Sequence, residues 1–145
     1  MNNTESPQLS LERIGTRVFT ARTPSGVTLK VGPAQEADCI SPGQLLQLAL
    51  AGCAAMSADA RLAHALGEDY ECRWEASADF AAREDLYTAL KAVCNADFSG
   101  LSEADVAKTT SRVTAAIERA CTVSRTLERK PAISITIGDA QPDQP

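Results

Sequence analysis

Five cysteines, Cys39, Cys53, Cys72, Cys94 and Cys121, are the residues of this chain best suited to chemistry. A thiolate can attack a peroxide, exchange with a disulfide or hold a metal. The count is odd and the N-terminus carries no export signal, which argues against a structural disulfide framework. There is no Cys-x-x-Cys pair, and a single histidine, His64, does not complete a zinc ligand set. Cys39 lies in an acidic loop with Glu36 and Asp38, a poor setting for a thiolate. Cys72 and Cys94 fall in phase with the apolar faces of two strands and read as core thiols. Cys53 and Cys121 stand apart: each ends an apolar helical run where small residues leave room. On separate helices they could meet, one as attacker and one as resolver. Packing roles for all five remain an alternative on pattern alone.

Cys53 poses a physical problem. It lies about three turns into a helix that starts after Ser41, whereas a helix N-terminus favours a thiolate mainly within its first turn. Burial works against the charged form. A reactive Cys53 therefore needs a cation from elsewhere, and Arg17, Arg22, Arg119 and Arg125 are the candidates.

The elements that position these residues follow from periodicity and turn chemistry. Residues 9–21 and 27–31 read as two strands joined by the turn "TPSGV". Ser41, Pro42 and Gln44 form a capping-box start for a helix that runs to Leu66, with Gly67 as its stop. Residues 70–80 alternate strictly, with Tyr70, Cys72, Trp74, Ala76, Ala78 and Phe80 on one face. Residues 86–98 form a second such strand. Ser102 caps a further helix with the stripe Val106, Val113, Ile117 and Ala120. "CTVSRTLERKP" extends that helix or bends into a short new one, and "AISITIG" closes the chain as a strand. The expected fold is α+β, an antiparallel sheet packed on two main helices. Residues 1–8 and 138–145 are expected to be flexible, and residues 9–137 to form a single domain.

The first helix is apolar nearly all round, and one sheet can cover only one of its faces. A homodimer is therefore expected. The composition, 44% hydrophobic and 23% charged over 145 residues, suits an ordinary globular domain that needs no staple. A net charge of −5 without a basic block argues against nucleic acid as a partner. No apolar run reaches the ~18 residues of a membrane span, and the expected location is the cytoplasm.

The helix "SPGQLLQLALAGCAA" resembles the first cysteine motif of the OsmC/Ohr proteins, the osmotically inducible and organic-hydroperoxide-resistance family. Leu45 and Cys53 keep that motif's interval. "ERACTVSRTL" resembles the second motif, usually Cys-Pro-Val-Ser, with Thr122 in place of the proline. The resemblance spans about residues 9–137. It implies an intertwined homodimer with a thiol peroxidase site at the subunit interface. Cys53 would be the peroxidatic nucleophile and Cys121 the resolving thiol. "GTRVFTARTPSG" resembles the family's Gly-x-Arg, making Arg17 the thiolate stabiliser and Arg22 the fallback. Leu50, Met56 and Gln44 would contact the hydroperoxide. No bound cofactor is implied, only an external dithiol reductant of the dihydrolipoamide kind. The family's glutamate after the proline is absent: Gly43 stands there, removing a charge-assisted contact worth roughly 1.5–3 kcal/mol. Glu36 or Asp38 could supply a carboxylate from the loop. A non-catalytic redox-sensing or small-molecule-binding member of the same family is the alternative.

Overall fold

The computed structural model describes residues 8–138. Of the segments expected to be flexible, residues 1–8 and 138–145, all but residues 8 and 138 lie outside the described residues. The order is β1 (Ser10–Gly15), β2 (Val18–Arg22), β3 (Thr28–Val31), α1 (Pro42–Leu66), β4 (Cys72–Ala81), β5 (Leu86–Ala96), α2 (Glu103–Ala120) and α3 (Thr122–Glu128).

The first run is two strands rather than one. Gly15 pairs with Val18, so Thr16 and Arg17 make a two-residue turn, with Arg17 at φ 60°. That left-handed conformation is uncommon outside glycine, and no glycine marks it in the sequence. The β2–β3 turn forms as expected, with Gly26 at φ 90° and Thr23 closing the loop through its backbone and hydroxyl. β1, β2 and β3 make one antiparallel sheet and β4 and β5 a separate two-stranded one, where a single sheet was expected.

Helix α1 begins as read. Ser41 Oγ accepts from the Gln44 amide at 3.2 Å, and Gln44 Oε1 accepts from the Ser41 amide at 2.9 Å. Ala51, Ala54, Ala58 and Leu62, at helical spacing, form its buried face. α1 packs on β4, β5, α2 and α3, whereas the β1–β3 sheet packs chiefly on itself. The opposite face of α1 stays open, with Leu48 54% and Met56 83% exposed. On α2 the buried positions are Thr109 and Ala116; Ala120, placed on the stripe by spacing, is exposed.

The expected closing strand does not form. Ile133, Ile135 and Ile137 keep their alternation, but nothing pairs with them and all three are largely exposed. A strand needs a partner edge to satisfy its backbone, and the described residues of one chain offer this segment none. Nor is any helix among the described residues long and apolar enough to cross a membrane.

Candidate functional site

The two cysteines singled out by pattern meet where α1 passes the α2–α3 junction. Cys121 is the last cap of α2 and the first cap of α3, and it is fully buried. Its φ of −73° and ψ of 95° break the helix there. Thr122 therefore occupies the first position of α3, where proline is also favoured, so replacing the family's proline keeps the helix start. Cys53 on α1 is half-buried and lies close enough to the Cys121 thiol to influence its ionisation. Both sulfurs are free.

The electrostatics distinguish the two thiols. Burial pushes the Cys121 thiol up. The Ser124 hydroxyl and amide, the Cys53 side chain and the Val123 amide outweigh it, and the thiol lies below its ordinary range. This is the chemistry of a capping position, where the amides two and three residues on lack helical partners and accept a negative group. In the thiol state Ser124 Oγ donates instead to the Cys121 carbonyl at 3.2 Å.

An apolar groove of about 580 Å³ runs between α1, β5 and α3; neither cysteine lines it, but Leu50 and Ser124, each three residues from one of them, do. Leu46 and Leu50 of α1, Leu90 of β5 and Leu127 of α3 line it, with Ser124 at the end nearest Cys121. Leu46, Leu50 and Cys53 follow one another at helical spacing, so the groove leads along α1 towards the Cys53 level. The volume lies within the range of small-molecule sites.

Of the other expected site residues, only Leu50 is at the groove. Met56 points out of the fold. The Gln44 carboxamide is engaged in the helix cap. Arg17 shares a second cavity with Ser41 and Pro42 at the start of α1. Cys53 stands eleven residues on from Pro42, roughly 16 Å along the helix at 1.5 Å per residue, so one chain does not bring Arg17 to Cys53. Neither Glu36 nor Asp38 pairs with Arg17 among the described residues. Arg22, the fallback, faces Glu12 at 3.8 Å. Cys72 and Cys94 are neighbours on the β4–β5 ribbon, but only Cys94 is half-buried; Cys72, expected as a core thiol, is exposed because it stands at the first position of β4, beyond the part of the ribbon that α1 covers. Cys94 is pushed up by burial and by Cys72, as befits an inert thiol. No group of three or more metal-ligating side chains occurs among the described residues.

Tyr87 is the groove residue that pattern reading missed. Strict alternation places it on the face of β5 away from Leu86, Thr88 and Leu90. The ladder pairs Asp79 with Ala89 and then Phe80 with Tyr87, leaving Thr88 as an extra residue. This bulge re-aims the next side chain. The Tyr87 ring consequently turns to α1 and lies on the bare Cα of Gly43, where a Cβ would overlap its hydroxyl. The space a larger residue 43 would need is filled by Tyr87.

Comparison with known proteins identifies the family and the fold. The family model described as "OsmC-like protein" matches residues 35–136. A protein of Mycobacterium tuberculosis, itself uncharacterised, is 33% identical over 132 residues, 91% of this chain and 96% of that relative. The chain therefore belongs to the OsmC-like family. Among solved structures the fold is similar to a hypothetical protein from Aquifex aeolicus, with a TM-score of 0.67 at 15% identity over 88% of this chain and 90% of that one. It is also similar to the organic hydroperoxide resistance protein OhrB of Bacillus subtilis, with a TM-score of 0.55 at 16% identity over 84% and 90%.

Proposed function

We propose that residues 9–137 act as one OsmC-like domain, a cytoplasmic thiol peroxidase for organic hydroperoxides. The carrying observation is that the Cys53 and Cys121 side chains meet, with an apolar groove lined by Leu50 and Ser124, each three residues from one of the cysteines. Exposure assigns their roles. Cys121 is fully buried and Cys53 is half-buried, so a peroxide reaches Cys53 first. The Cys53 thiolate attacks the outer peroxide oxygen, the O–O bond breaks, and the alcohol leaves with a proton, giving a sulfenic acid. The Cys121 thiolate then attacks that sulfur and expels hydroxide, which takes a proton to become water, and a disulfide is left. The attacking species in this step is a thiolate, so the lowered Cys121 suits it. An external dithiol, itself oxidised to a disulfide, returns both cysteines to thiols.

The open face of α1 and the unpaired alternation of Ile133, Ile135 and Ile137 support a homodimer that covers them. The cation for Cys53 is then Arg17 of a second copy, since Arg17 in the same chain stands at the far end of the helix.

Gly43 supports a second reading, a binding protein without turnover, because the carboxylate expected at that position is replaced by the Tyr87 ring. Turnover of tert-butyl hydroperoxide by wild type and Cys53→Ser separates the two. The peroxidase reading expects turnover that Cys53→Ser abolishes; equal rates would contradict it.

A further inference from the structure

The groove has a definite far end. Leu50 and Leu46 line it along α1, and Tyr87 lines it as well, its ring set against Gly43 where α1 begins. Gly43, Leu46, Leu50 and Cys53 occur at spacings of three, four and three residues and so share one stripe of the helix. The stripe from Gly43 to Cys53 is roughly 15 Å long at 1.5 Å per residue.

Three features hold the Tyr87 ring there. The bulge at Thr88 turns it towards α1, and the Thr88 hydroxyl fixes the bulge by donating to the Asp79 carbonyl at 3.3 Å. Phe80 braces the ring, with centroids 5.5 Å apart and planes at 59°. Gly43 lets the ring settle, since a Cβ there would overlap the hydroxyl and stand 3.0 Å from Cζ. Beyond the ring lies Phe80, 54% exposed, an apolar surface onto which a longer tail could run once past Tyr87.

We propose that Tyr87, seated on Gly43, is the end stop of the groove and sets the longest apolar tail that can lie in it. The pair is a specificity-determining device, not a catalytic one, because it stands at the end of the stripe remote from Cys53. The proposal rests on the reading of the groove as the hydroperoxide site. Residue 43 and Tyr87 are coupled: any side chain at 43 evicts the phenol and opens the end.

The test uses straight-chain primary alcohols from butanol to dodecanol, the redox-inert products of such substrates, with reduced full-length protein and calorimetric affinities. In wild type each added methylene should tighten binding roughly fourfold up to a cut-off, after which affinity stays flat. In Tyr87→Ala the climb should continue, so that dodecanol binds at least roughly tenfold tighter than to wild type. Gly43→Ala should behave likewise. The double variant Gly43→Ala/Tyr87→Phe removes the overlapping hydroxyl and should return towards the wild-type cut-off, which a mere loss of packing would not do. An unchanged cut-off in Tyr87→Ala overturns the proposal, as does the absence of alcohol binding by wild type. A wild-type protein that shows the cut-off but never turns over tert-butyl hydroperoxide would sink the peroxidase reading and leave the end stop standing.

Discussion

Ser124 provides the sharpest test of the electrostatics at Cys121. Its hydroxyl and amide together form the largest influence holding that thiol down, and Cys121 is fully buried, so solvent does not dilute the effect. A hydrogen bond to a charged group is worth about 1.5–3 kcal/mol, and a neutral one about 0.5–1.5. The single hydroxyl proton bonds the Cys121 carbonyl in the thiol state and must leave it to serve the thiolate. The net preference for the thiolate is therefore about 1–1.5 kcal/mol. Ser124→Ala should raise the Cys121 titration. The amide contributions remain, so the thiol should not climb to the value of an unassisted buried cysteine. The assay is thiolate absorbance near 240 nm against pH, taken as the difference between each protein and its Cys121→Ser counterpart. Stability gives an independent readout with a fixed sign. A thiol whose folded value is depressed stabilises the fold above its unfolded value, and that stabilisation is lost as pH falls through the folded one. The stability gap between wild type and Ser124→Ala should thus widen as pH rises through this window. An unchanged or lowered titration in Ser124→Ala would refute the reasoning.

Two further outcomes follow from the same structure. Ser41→Ala removes half of the capping box at the start of α1 and should cost about 1 kcal/mol, lowering the melting temperature by roughly 2–4 °C in calorimetry. Met56→Glu places a charge on the open apolar face of α1, which a dimer would have to bury. Sedimentation should show wild type as a dimer and the variant as largely monomer, with helix content retained; a monomeric wild type would remove the need for a covering subunit.

Local signals were legible in the sequence and non-local ones were not. The cap formed by Ser41, Pro42 and Gln44 is written within four residues, and it forms as read. The strict alternation of β4 holds at its centre, where Trp74, Ala76 and Ala78 are half-buried, but Cys72 and Phe80 at its ends are exposed, because a strand records its environment only where something packs on it. The β1–β2 turn was invisible because Arg17, not glycine, takes the left-handed conformation there. Strict alternation does not find Tyr87, because one bulged residue, Thr88, reverses the phase, and a bulge leaves no compositional mark. The closing strand shows the opposite case. Its pattern is plain at Ile133, Ile135 and Ile137, yet the described residues of one chain supply no edge for it. Of the candidate site, the two cysteines could be paired from their motifs. The coupling of Gly43 to Tyr87 required the fold.

The central claim is that Cys53 and Cys121 form one redox pair. Fully reduced protein should receive one equivalent of an organic hydroperoxide, be quenched with an alkylating agent, and have its cysteines mapped by mass spectrometry without reduction. The account predicts a Cys53–Cys121 disulfide within seconds, with Cys72 and Cys94 recovered alkylated. Recovery of both Cys53 and Cys121 as alkylated, unoxidised thiols would contradict it.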